Sequence, residues 1–119
     1  VAALMADVNE VKDADCEAFD GYVAKWQKLL GLLDWRIERS TRRSKKSMAE
    51  VTFDDSARLA SYRIGLSFGA ATVTPDSLER TALHEVLHVL LHDLLSNPDD
   101  ATEHRVINVL EKILMGAQE

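Results

Sequence analysis

Apolar residues recur along this chain at two periods, and the change of period divides it into elements. Over residues 8–33 they fall at i, i+3, i+4 and i+7 (Val8, Val11, Ala18, Phe19, Tyr22, Trp26, Leu29, Leu30, Leu33). That spacing predicts an amphipathic helix with Tyr22 and Trp26 as core anchors. Gly31 stands where such a helix would end. The period then drops to two. Residues 34–39 alternate as a half-buried strand does, and residues 48–53 put Ala49, Val51 and Phe53 on one face. Residues 59–68 give the cleanest strand, with Ala60, Tyr62, Ile64, Leu66 and Phe68 on one side and Ser61, Arg63, Gly65 and Ser67 on the other. Gly65 predicts a bulge or a close backbone approach. The basic run 40–47 predicts a hairpin loop between the first two strands, and Asp54-Asp55-Ser56 a turn.

Helical spacing returns after Thr74-Pro75, with Thr74 as N-cap and Pro75 at the first helical position, or with Asp76 and Glu79 as a capping box. This helix is predicted to end near Leu95, where Ser96-Asn97-Pro98 breaks it. Asn97 can cap a last helix that carries Asp99 and Asp100 in its first turn and runs to about Met115, with Gly116 after it. The predicted order is helix, three strands, helix, helix: an α+β fold with a small three-stranded sheet, in one domain over residues 1–119.

Composition narrows the classes. A chain of 119 residues supports one modest core. Its apolar share of 46% and charged share of 29% are those of an ordinary globular protein. The net charge of −6 argues against a surface built mainly to grip nucleic acid. The lone Cys16 excludes a disulfide framework and a Cys-x-x-Cys zinc site, so any metal must be held by His and carboxylates. The apolar residues 1–6 are too few for a signal peptide or a membrane span, and the expected location is the cytoplasm.

The chemistry lies in His84-Glu85-Val86-Leu87-His88, an H-E-x-x-H set among Leu83, Val86, Leu87, Val89, Leu90 and Leu91. On a helix, His84 and His88 share a face and can bind one metal. Glu85 stands about 100° round from His84, where it can act as general base on a water at the metal. The motif fixes only three positions and arises by chance in unrelated helices. Here, though, two imidazoles and a carboxylate stand in a helix whose neighbours will be buried, and buried polar groups require partners.

A zinc site needs a third ligand and an open position. His92 lies about 12 Å along the axis from His84, too far to share the ion, and is read as a group near the metal or the substrate. The last helix offers Glu103, His104 and Glu111. An antiparallel hairpin brings Glu103 level with His88. With Glu103 at zero, Val106, Ile107, Leu110 and Leu114 lie within about 60° on a helical wheel, so Glu103 is centred on the packing face. His104 falls at the edge of that stripe, as the reserve ligand, and Glu111 lies further round with it. A capping box with Asp100 would also explain Glu103.

His84-Glu85-x-x-His88 followed by a glutamate on the next helix resembles the gluzincin zinc metallopeptidases, and the small size and element order are similar to the single-domain minigluzincins. The resemblance covers residues 34–113, with 8–33 as a supporting helix. It implies Zn²⁺ held by His84, His88 and Glu103, with Glu85 passing a proton from water to the leaving amine of a peptide. It further implies that the substrate adds as a strand to the sheet edge above the helix, a role expected of residues 59–68, with Tyr62 or His92 helping to hold the oxyanion. The chain departs from the larger gluzincins in having no room for a second domain.

Three other readings stand beside this one. Arg36, Arg39, Arg42, Arg43, Lys45 and Lys46 place six cations within eleven residues. That is a solvated loop or a phosphate-binding surface, and the motif also resembles the SprT-like proteases, which act on DNA-bound proteins and usually take a third His. A three-histidine ribonuclease fits poorly, because His92 arrives while the helix should still be running. A scaffold that keeps zinc for stability alone would have no use for Glu85.

Overall fold

The computed structural model describes residues 8–95 and 99–117. Its elements are α1 (Asp13–Leu29), β1 (Arg36–Arg39), β2 (Ala49–Asp54), β3 (Leu59–Ile64), α2 (Pro75–Leu94) and α3 (Asp100–Ala117). The α+β arrangement and the order of elements are those expected from the pattern.

The first helix is shorter than its stripe. Lys12 is extended and donates its N–H to the Asp15 carboxylate at 2.9 Å, which starts the helix at Asp13. Val11 is buried for a different reason: the segment before Lys12 runs beside the chain after β3. There Glu10 bridges Ser67, and the Val11 N–H reaches the Leu66 carbonyl at 3.0 Å. Within α1 the buried positions are Cys16, Phe19, Val23 and Trp26, and Tyr22 is only partly buried. Gly31 ends the helix region with φ at 71°, a conformation open to glycine.

The sheet departs from the expectation in its neighbours. Its order is β1-β3-β2, so β3 is the central strand and no hairpin joins β1 to β2. β1 runs parallel to β3 (Ile37 opposite Ala60), and β2 runs antiparallel to it (Val51 opposite Tyr62). Alternation reports which face a residue takes, not which strand lies beside it. The burial of Ala60, Tyr62 and Ile64 suits a central strand, while β2 is only partly buried and forms an edge. Residues 40–47 are therefore a crossover. The Ser40 and Ser44 N–H groups continue the pairing to the Tyr62 and Ile64 carbonyls, and the chain then passes the end of β3 to reach β2.

Gly65 makes this passage feasible. Its N–H donates to the Met48 carbonyl at 2.7 Å, and a Cβ there would stand 2.2 Å from the Ser47 carbonyl oxygen. Close approach, one of the two readings of Gly65, is what the backbone requires. Arg43 fixes the same corner: its guanidinium donates to the carbonyls of Val11 (2.9 Å), Gly65 (2.8 Å) and Ile64 (3.1 Å). Leu66, just past β3, is exposed, whereas Phe68 turns back into the core.

α2 starts as expected at Thr74. The Thr74 hydroxyl accepts from the Ser77 N–H at 3.0 Å, and the Thr74 N–H donates to the Ser77 hydroxyl at 2.8 Å. Glu79 is not part of a cap. It accepts from Lys25 Nζ (2.5 Å) and Trp26 Nε1 (3.0 Å), tying α2 to α1. Ala82, Leu83, Val86, Leu87 and Val89 are fully buried, so α2 runs through the core. The expected Asn97 cap lies outside the described residues. At the start of α3, Asp99 accepts from the Thr102 N–H at 3.0 Å, and the helix runs through Gly116.

The crossing at Gly65 yields a prediction. Gly65→Ala sets a methyl against backbone rather than against a movable side chain, and is expected to destabilise the protein by about 3 kcal/mol. Urea denaturation of the variant beside wild type measures this, and an unchanged midpoint would refute the close approach.

Candidate metal centre

α2 and α3 pack as an antiparallel pair, and the polar groups of α2 meet those of α3 across the seam. His88 Nδ1 lies 2.7 Å from Glu103 Oε1, so the level inferred from the helix break holds. His84 Nδ1 lies 3.2 Å from Glu111 Oε2, and His104 Nδ1 lies 2.9 Å from the Asp100 carbonyl oxygen. Each partner is an acceptor, which favours the tautomer with the proton on Nδ1, and in the neutral ring this puts the lone pair on Nε2. A carboxylate or carbonyl behind the ring is the usual setting of a metal-binding histidine.

The three rings face one another, with centroids 5.0 Å apart for His84–His88, 4.9 Å for His88–His104 and 5.6 Å for His84–His104. One ring nitrogen from each lies within 4.8 Å of those of the other two. Imidazole nitrogens bound to a tetrahedral zinc stand about 3.3 Å apart. Small rotations of half-buried side chains would close that gap. The donor set is three imidazoles, with an open cavity of about 350 Å³ beside them for a fourth position. This set fits zinc.

Of the two residues considered for the third position, the structure brings His104 into the cluster and sets Glu103 behind His88. The helical wheel puts His104 at the edge of the packing stripe and Glu111 further round with it. The side of α3 turned inward carries Ile107, Leu110, Leu114 and Met115 together with Glu103, His104 and Glu111, while Val106, Val109 and Ile113 face outward. Of the expected stripe only Val106 is exposed, and the inward side extends round to His104 and Glu111. Glu111 as the partner of His84 was missed. The signal was its place on the row Glu103–Ile107–Glu111, at i and i+4, opposite the row His84–His88.

Glu85 is only 6% exposed, lines the cavity beside His84, and has no hydrogen-bond partner among the described residues. Burial pushes its carboxyl up to about 7, against the pull of His84 and His104. A cation held by those rings would draw it down again. The two clustered histidines of α2 are driven apart: the Glu111 bond raises His84, and burial lowers His88.

The remaining predicted groups fall elsewhere. His92 lies outside the cluster, at the far end of the same cavity. It stacks on Phe53 at 3.8 Å, and its Nε2 is 2.6 Å from Asp55 Oδ1. Tyr62 does not line the cavity. It is buried against Phe19 and donates its hydroxyl to Asp20 Oδ1 at 2.5 Å, and burial with that bond pushes its pKa up. Tyr62 belongs to the core because β3 is central. The strand that walls the cavity is β2, through Ala49, Val51 and Phe53, so the edge expected at residues 59–68 is supplied by β2 instead. Of the six cations of residues 36–46, Arg43 is committed to backbone carbonyls, Arg39 pairs with Asp20 at 3.0 Å, and Arg36 lies 3.6 Å from Glu38.

A raised carboxyl pKa links stability to pH. The folded protein keeps the Glu85 proton up to about pH 7, while the unfolded chain releases it near 4.5, so stability falls with rising pH between those values and is flat above them. In metal-free protein, Glu85→Gln removes this loss and gains on the order of 3 kcal/mol relative to wild type between pH 4 and pH 8. Thermal melts of both proteins across that range test it, and parallel curves would count against a buried, unpartnered carboxylate.

No protein-family model, curated protein or solved structure matches this chain, so what the centre does is read from its own geometry and chemistry.

Proposed function

We propose that this chain is a zinc-dependent peptidase. The reading rests on one observation above the rest: Glu85, 6% exposed and opening onto the cavity with no hydrogen-bond partner among the described residues, lies beside three clustered imidazoles whose Nδ1 atoms each stand against an oxygen acceptor. His84, His88 and His104 would hold the ion, while Glu103 and Glu111 orient His88 and His84. Zinc, when bound, lowers the pKa of water in its open position and polarises a carbonyl oxygen.

The chain's own groups supply the rest. Glu85 takes the water's proton on a carboxylate oxygen and delivers it to the leaving nitrogen. The β2 edge lines the cavity and can accept an extended peptide by backbone pairing, which sets a scissile carbonyl over the helix. α2 and the sheet exclude water from the side of Glu85 that faces the core. The gluzincin resemblance led to Glu103 as third ligand, whereas a third imidazole is the pattern of the SprT-like proteases. His104 is the observation that favours that second reading. Its expected partner is DNA-bound protein, reached through Arg42, Lys45 and Lys46, which are exposed and carry no ion pair among the described residues. Salt-dependent binding of DNA by the purified protein would support it.

Elemental analysis of the purified protein tests the centre. About one zinc per chain is expected in wild type and in Glu85→Gln, with loss in His104→Ala and retention at weakened affinity, about 10-fold or more, in Glu103→Ala. Zinc lost from Glu103→Ala and retained by His104→Ala would restore the carboxylate-ligand arrangement. Cleavage of a mixed peptide library by wild type, abolished in zinc-loaded Glu85→Gln, is the expected activity result. Unchanged turnover in that variant would sink the mechanism.

A further inference from the structure

The cavity beside the histidines is one of two that meet at the same place. A second, of about 410 Å³, shares Ala49, His84 and Glu85 with the first and continues on the other side of them, past Met48, Arg80 and Asn108. A cleft thus passes across the centre between β2 and the helix pair, with room on both sides of Glu85. The two sides differ in charge. The lining of the first cavity includes Glu50, Glu85, Asp100 and Glu103 and holds no Lys or Arg. The second sets Arg80 against Glu111, and beyond the shared Ala49, His84 and Glu85 the rest of its wall, Met48, Thr81 and Asn108, carries no charge.

Within the first cavity the carboxylates are engaged to different degrees. Glu103 is taken by His88. Glu50 is only loosely paired with Arg63, at 3.6 Å, and its side chain is 42% exposed. Asp100 points into solvent at the mouth, with 89% of its side chain exposed and only His104 near it, at 3.3 Å. Glu85, more than nine-tenths buried, faces both cavities without a hydrogen-bond partner among the described residues. A zinc ion held by the three neutral rings would answer the charge of Glu85 and of Glu103 behind His88, leaving Glu50 and Asp100 as negative charge at the rim.

We propose that the substrate is an internal stretch of peptide lying across both cavities, selected by a lysine or arginine side chain on one side of the cleaved bond, with Glu50 and Asp100 as the specificity-determining residues. This rests on the peptidase reading for its reaction but not for its binding. The second cavity takes a neutral side chain, because an acidic one would meet Glu111 and a basic one Arg80. The preference is local, since a general attraction of cationic peptides to a chain of net charge −6 would not depend on which side of the bond the cation stands.

The test uses otherwise neutral peptides with a single Lys or Glu placed at one position or its mirror position, against two zinc-loaded forms of the full chain. Wild type reports kcat/KM, and Glu85→Gln reports binding by fluorescence anisotropy without turnover. A Lys-over-Glu preference of ~10-fold is expected on one side alone, falling below ~3-fold in Glu50→Gln/Asp100→Asn and weakening with added salt. Zinc content and a thermal melt establish that this double variant is folded. Cleavage with no side-dependent preference overturns the inference and leaves the peptidase reading standing. One-sided Lys preference in binding without any cleavage does the reverse. Peptides that neither bind nor are cleaved overturn both.

Discussion

A helix enclosed in a protein core must find a partner for every polar side chain it carries. α2 is such a helix, with Ala82, Leu83, Val86, Leu87 and Val89 all shut from solvent and His84, Glu85 and His88 set among them. Leaving an imidazole or a carboxylate unanswered there costs more than most single contacts contribute. The answer comes from α3, whose Glu103 and Glu111 take one histidine each. Glu85 is the exception: no protein group among the described residues answers it, its carboxylate opens onto the cavity, and that is where chemistry is to be sought.

The sheet serves this arrangement from the other side. Because residues 40–47 cross the end of β3, the strand that returns as β2 lies on the outer edge, beside α2, and not in the middle. The crossing draws the backbone so close to Gly65 that no side chain is tolerated there, and Arg43 holds the corner with three carbonyl bonds. A stretch that looks like a cationic patch when read as a string thus commits part of its charge to architecture.

Much of the architecture was legible before any coordinates. Period alone separates helices from strands, Thr74 offers one of two starts for α2, and Gly65 marks a tight approach or a bulge, because these signals are local and each has a steric or hydrogen-bonding cause. What was not legible was relational. The alternation of Ala60, Tyr62 and Ile64 is the same in a central strand as in an edge strand, so Tyr62 was read toward the cleft when it faces α1. On α3 the stripe Ile107, Leu110 and Leu114 packs inward as the wheel has it, and only Val106 of it is exposed. What the wheel leaves out is that the inward side reaches round to His104 and Glu111, because a wheel ranks apolar positions and does not show which polar groups of α2 wait opposite. His84 meets Glu111 there, and His88 meets Glu103.

α3 packs chiefly against one neighbour, α2, and buries only Ile107 and Met115 completely. A helix so attached can undock at less cost than unfolding the rest of the structure. Two of the three converging imidazoles belong to α2 and the third to α3, so an ion held by all three binds only the docked arrangement. Its binding free energy is then added to the docking equilibrium, growing with the logarithm of its free concentration above the dissociation constant. Ion capture and completion of the cleft are, on this geometry, a single thermodynamic event.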